Sequence, residues 1–144
     1  MNDFAGCFGD KRRPKALARL EEAMVTCSSV VVRRRGEDRA GELSAHRVLS
    51  APAVTAGGIV ECLGQRAARA AAGRRVVIAQ DTTEVNFPGH KRKRLGPAGR
   101  TGKTPGFFIH AAVVVDADEE KVLGLLDAQI WTRNGKVKAA RRQR

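Results

Sequence analysis

Residues 75–87 constrain this chain more than any other stretch. They read Arg-Val-Val-Ile-Ala-Gln-Asp-Thr-Thr-Glu-Val-Asn-Phe. The unbroken run Val76-Val77-Ile78-Ala79 predicts a strand covered on both faces. The run meets no turn residue. It passes directly into Gln80 and Asp81, and the β-favouring Thr82, Thr83 and Val85 carry it onward. A carboxylate in mid-strand beside a buried run is costly unless something pairs with it. A hard divalent cation is one such partner, and a structural hydrogen bond is the other. Sequence character changes at this strand: basic and helical before it, β after it.

After it, residues 106–116 alternate Phe107, Ile109, Ala111, Val113 and Val115 with Phe108, His110, Ala112 and Val114. Both sets are apolar apart from His110, so both faces are expected to be covered. Asp116-Ala117-Asp118-Glu119-Glu120 reads as a turn into a third strand over 121–131, forming an antiparallel hairpin. Between the first and second strands, Pro88 to Pro105 carries Lys91, Arg92, Lys93, Arg94, Arg100 and Lys103 among Gly and Pro. It reads as an unstructured connector, functional or disordered. Residues 134–144 hold five basic residues and no acid, the pattern of a disordered tail.

Before it, Asp10 reads as an N-cap and Pro14 as a first-turn residue. Ala16, Leu17, Leu20 and Met24 then follow at helical spacing. Lys11, Arg12, Arg13, Lys15 and Arg19 lie on this helix with no acid among them, which fits a solvated face or a nearby anion. Residues 25–38, including Arg33-Arg34-Arg35, read as an extended loop. A second helix fits Arg39 to Leu49, with Ala40, Leu43 and Leu49 inward and Pro52 as its stop. Thr55 caps a third from Ala56 to about Ala72, with Ile59, Leu63, Ala67 and Ala70 on one stripe and Gly73 as its C-cap.

Lysine plus arginine number 27 against 15 acids, a formal net charge of +12 on 144 residues. That exceeds what solubility requires and points to a polyanion, nucleic acid ahead of an acidic membrane. Cys7, Cys27 and Cys62 are far apart and odd in number, which suggests neither a zinc knuckle nor a disulfide framework. The start Met1-Asn2-Asp3-Phe4 is no signal peptide. The longest apolar run, Phe107 to Val115, is too short to span a bilayer. The expected setting is intracellular and reducing.

Together these segments carry a resemblance. Gln80-Asp81-Thr82-Thr83, then Leu95-Gly96, then Gly106-Phe107-Phe108-Ile109-His110, then Leu123-Gly124-Leu125-Leu126 and Trp131 resemble, in order and spacing, the DDE transposases of the Tn-five-like branch, the insertion-sequence-four superfamily. Phe8-Gly9-Asp10-Lys11-Arg12-Arg13 is similar to that family's first helix start, and His46-Arg47-Val48-Leu49 with Val54-Thr55 to its second and third helices. The resemblance runs from about Phe4 to Arg133. It implies an α+β chain in three parts: 1–73, a helical DNA-binding domain; 74–133, the start of an incomplete ribonuclease-H-like catalytic domain; and 134–144, the basic tail.

The resemblance further implies that Asp81 is the first of three catalytic carboxylates that hold two Mg²⁺ or Mn²⁺ ions for in-line attack on phosphodiesters. Lys11, Arg12, Arg13, Arg19, Arg47, Lys91, Arg92, Lys93, Arg94, Arg100 and Lys103 become candidate contacts to the transposon's terminal inverted repeats. The setting implied is the bacterial cytoplasm, on nucleoid DNA, with no membrane partner. The chain departs from the family in two respects. Residues 30–39, with three consecutive Arg, look unlike the family's usual Ser-rich segment, which bears on DNA recognition by this region. Nothing in the chain matches the second Asp or the Glu of the Tyr-Arg-Glu-Lys helix, and Asp116, Asp118, Glu119 and Glu120 sit in a turn. One carboxylate does not hold two metals, so this chain alone is expected neither to bind the ions stably nor to cut DNA. The first strand should keep an open edge and an uncovered apolar face. Self-association, or association with full-length transposase, is the expected result. A stand-alone basic nucleic-acid binder or an inhibitor of full-length enzyme is the alternative.

Overall fold

A computed structural model describes residues 4, 6–29, 39–89 and 94–133. The expectations for residues 30–38, for Lys91, Arg92 and Lys93, and for the tail 134–144 lie outside the described residues. Three helices, α1 (Arg12–Thr26), α2 (Arg39–Leu49) and α3 (Ala56–Ala71), precede four strands. These are β1 (Val76–Asn86), β2 (Gly96–Ala98), β3 (Thr104–Asp116) and β4 (Lys121–Trp131). The class is α+β, and the sheet is wholly antiparallel.

Side-chain bonds mark the starts of α1 and α3, although the N-cap of α1 is Lys11, which makes no side-chain cap bond, and not Asp10 as expected. The Asp10 carboxylate accepts the Arg12 backbone N–H at 2.8 Å, and Arg13 Nη1 donates to the Phe8 carbonyl at 2.8 Å. Leu17 and Leu20 then turn inward. Thr55 Oγ1 accepts the Gly58 N–H at 3.0 Å, an N-cap bond that satisfies one of the orphan donors of α3. The inward face of α2 differs from expectation. Ala45 and Val48 are buried, whereas Ala40, Leu43 and Leu49 are exposed. Leu43 lies two residues before Ala45, about 200° round the helix, so the two cannot share a face. The small Ala45 lets α2 pack closely on α1.

Phe4, Leu17, Leu20, Val48, Val54 and Cys62 form the helical core. Burial of Phe4 draws the N-terminal turn over α3, where Cys7 and Cys62 are joined by a disulfide across 55 residues of chain. The expectation of no disulfide framework, in a reducing setting, is therefore corrected: tertiary packing brings Cys7 and Cys62 together, and Cys27 is free and exposed. Arg66 Nη1 on α3 also meets Glu21 Oε1 on α1 at 3.0 Å.

In the sheet β3 is central. β1 pairs along one side from Val76↔Asp116 to Asn86↔Gly106. β4 pairs along the other side, and β2 continues its line beyond Trp131 by pairing with Thr104–Gly106. The connector 88–105 is thus not structureless. The three residues of β2 have little strand propensity of their own and are held by β3. The third helix packs over β4 and β3, close enough that a Cβ on Gly64 would collide with the Leu126 carbonyl oxygen. Phe108, Ala112, Val114 and Asp116 are buried under it.

The opposite face of the sheet is uncovered among the described residues. Directly paired residues share a face, so Val77, Ala79, Asp81, Thr83 and Val85 of β1 lie there beside Phe107, Ile109, Ala111, Val113 and Val115 of β3. Val122 and Ile130 of β4 complete it. Two expectations from the apolar runs fail here, because neither β1 nor β3 is covered on both faces. Val77 is 56% exposed on the uncovered face, and Ile78 is 49% exposed on the helix side because α3 lies over β4 and β3 rather than β1. Among the described residues the outer edge of β1 is open, as expected. Among the described residues no helix is long and apolar enough to cross a membrane.

Candidate functional site

Asp81 sits at the middle of β1, opposite Ala111 of β3, on the uncovered face. It is exposed, and its Oδ1 accepts the N–H of Thr82 at 2.7 Å. Strand alternation turns its neighbours away. Thr82 Oγ1 lies 2.8 Å from His110 Nδ1 on the helix-covered face. Glu84, on that same face, accepts the Gly99 N–H and pins the β2–β3 turn to β1. Asp127 faces Ala112 and accepts the Ala128 N–H at 2.8 Å. Among the described residues Glu84 and Asp127 each already serve a backbone donor, and neither is on the same face as Asp81.

The acidic turn is structural. Asp116 is buried, and its carboxylate accepts Arg74 Nη1 at 2.6 Å and the N–H groups of Asp118 and Glu119 at 2.9 and 3.0 Å. The Arg74 guanidinium and these two amides hold its pKa down to about 2, and the Arg74 pKa is raised in turn. Arg74 also meets Glu119 at 3.0 Å, and Arg75 pairs with Asp118. This network closes the β3–β4 turn against the start of β1, at the far end of the strand from Glu84. The turn acids therefore do not approach Asp81, as expected.

Mg²⁺ or Mn²⁺ does not fit what is present. Two divalent ions need several oxygen donors converging on one point. Among the described residues no three His, Cys, Asp or Glu side chains are grouped to hold a metal. Asp81 is a solitary carboxylate on an apolar face.

The basic candidates fall on two sets of elements. Lys11, Arg12 and Arg19 are exposed on or beside α1, and Arg47 is exposed in the last turn of α2. Arg12 is engaged by Asp10, Nη2 to Oδ2 3.3 Å, and the Arg12 N–H holds the Asp10 carboxyl below its ordinary range. Arg13 is half-buried and braces the start of α1 through Phe8, so its first role is structural. Arg94, Arg100 and Lys103 are exposed around β2, Arg94 before it and the others in the turn Gly99–Gly102 and just after. Lys91, Arg92 and Lys93 lie outside the described residues.

Sequence reasoning missed other contacts. Phe108 stacks on Trp131 with centroids 5.6 Å apart, and Arg133 lies over the Phe108 ring at 4.2 Å. A groove of about 520 Å³ runs between α3 and β4, with Glu61, Gln65 and Asp127 along it. The Gly57-x₃-Glu61-x₂-Gly64 spacing on one helix face is the signal that could have located it. Compared with known protein families and with curated proteins, the chain matches none.

Proposed function

We propose that this chain is the DNA-binding front part of a DDE transposase of the Tn-five-like branch, acting on transposon ends. The observation that carries the reading is the order of its parts. A basic helical unit is docked through α3 on an antiparallel sheet whose first strand bears an exposed carboxylate at its midpoint. Exposed Lys11, Arg19 and Arg47 on the helices, and Arg94, Arg100 and Lys103 by β2, supply cations for backbone phosphates. The chain's own activity is DNA binding. Strand cleavage is not assigned to it, because Asp81 has no carboxylate partners for a metal among the described residues.

The isolation of Asp81 also favours a second reading, a basic nucleic-acid binder without a cleavage role. Selection from a random duplex library, followed by titration of the winner against scrambled DNA, separates the two. Recognition of terminal repeats gives roughly 10³-fold or greater preference for one sequence. A sequence-blind binder gives no preference, and its log–log salt slope of roughly −0.9 per phosphate contact accounts for all its affinity. Absence of any DNA binding at about 0.05 M salt would overturn both. Plasmid nicking in Mg²⁺ or Mn²⁺ that Asp81→Ala abolishes would overturn the statement that this chain does not cut.

A further inference from the structure

We infer that the uncovered face of the sheet is a contact surface for a second copy of this chain, with Asp81 placed to weaken that contact. The face is apolar across three adjacent strands: Phe107, Ile109, Val113 and Val115 on β3, flanked by Val77 on β1 and Ile130 on β4. Val77, Val122 and Ile130 are 56%, 63% and 46% exposed, a contiguous apolar surface rather than scattered residues. Strands of 11 residues at about 3.3 Å per residue, spaced about 4.8 Å apart, present a band of about 500 Å² per copy. Two such bands reach the ~1,000 Å² at which specific interfaces begin.

Charge selects the occupant. The molecule carries +12, yet the strand residues of this face include no Lys or Arg, and Asp81 is the one charged group among them. Apart from the two Asp81 carboxylates, the face therefore brings no like charges together when it meets a copy of itself. The remaining repulsion between the two cationic bodies acts over longer distance and is screened within about 8 Å at about 0.15 M salt. Face-to-face sheet packing about 10 Å apart suits an apolar sheet face. A two-fold contact supplies each band with an identical apolar partner. Asp81 opposes it: bringing its carboxylate under a second sheet removes water and offers no cation in return. The inference uses neither DNA nor metal; on the transposase reading, the remainder of the ribonuclease-H-like domain competes with a second copy for this face.

The test is sedimentation velocity on the full chain carrying Cys27→Ser, which removes the exposed thiol and leaves Cys7–Cys62 intact. A monomer–dimer equilibrium is expected below about 100 µM, tightening as salt is raised, whereas DNA binding weakens. Val122→Lys with Ile130→Lys changes two side chains that are already exposed, so the monomer fold survives and its circular dichroism is unchanged. This pair should weaken dimerisation at least tenfold, and Asp81→Leu should strengthen it at least tenfold. A chain monomeric throughout that range at high salt overturns the inference. So does a dimer indifferent to the two lysines, since contact then lies elsewhere, and so does a dimer that Asp81→Leu leaves unchanged. If the double variant misfolds, Ile130→Lys alone gives the same readout.

Discussion

Removing the Cys7–Cys62 disulfide tests the helical unit as a whole. The bond closes a loop of 55 residues of sequence separation that contains all of α1 and α2 and the first part of α3. Cross-linking restricts the unfolded chain, and for a loop of this size the chain-entropy relation gives about 4 kcal/mol at room temperature. The native state gains little compensation on reduction, because Phe4 must still be held in the core beside Cys62. Against the ~5–15 kcal/mol that separates most domains from unfolding, about 4 kcal/mol is a large share. With each kcal/mol worth ~2–4 °C in a chain of this length, the Cys7→Ser variant should melt roughly 8–16 °C lower. Urea melts of oxidised protein, reduced protein and Cys7→Ser measure it directly. Thiol titration in denaturant should find one free thiol before reduction, that of Cys27, and three after. Three thiols before reduction would refute the pairing. A shift under about 1 kcal/mol would refute the argument from loop closure.

Two glycines on α3 should respond to alanine with opposite signs. Gly64→Ala drives a Cβ into the Leu126 carbonyl oxygen of β4 and should destabilise by about 1–3 kcal/mol. Gly57→Ala meets nothing within 4 Å and should stabilise by up to ~1 kcal/mol through helix propensity. Equal shifts in a chemical melt would show that α3 does not sit on β4 as described. The Asp116 carboxylate titrates at about 2 when folded, against an ordinary 3.8. The unfolded chain therefore binds more protons between these values, so stability rises with pH there. The Asp116 contribution is complete above pH 3.8 and lost as pH falls through about 2. Asp116→Asn should flatten that part of the stability–pH curve; an unchanged slope would place the acid sensitivity elsewhere.

What the sequence disclosed was local. The Thr55 cap, the bounds of α2 and the antiparallel β3–β4 hairpin follow from residues within a few positions of one another, and all are present. What it hid was set by distant contact. Gly96-Pro97-Ala98 has no strand character until β3 offers it hydrogen-bond partners. Cys7 and Cys62, 55 residues apart in sequence, meet through the packing of the helical core, in which Phe4 and Cys62 are both buried. The apolar runs of β1 and β3 were read as doubly covered, because hydrophobicity records what a face prefers and not whether this chain supplies the cover. At the candidate site, the mid-strand place of Asp81 was legible. The bracing role of Arg13 was not legible, because it depends on a bond to the carbonyl of Phe8.

The strand register also dictates an order of assembly. β4 returns on β3 after a turn of four residues, Ala117 to Glu120, whereas β1 must reach across residues 87–105 before Asn86 can meet Gly106. Closing the longer gap costs about 1.4 kcal/mol more chain entropy, which delays it relative to the hairpin. The hairpin is then the template, and β1 is the last strand laid down and the first to peel away. Native-state hydrogen exchange should find the amides that bond β1 to β3 opening before those that bond β3 to β4. The strand that carries Asp81 is thus also the one that breathes.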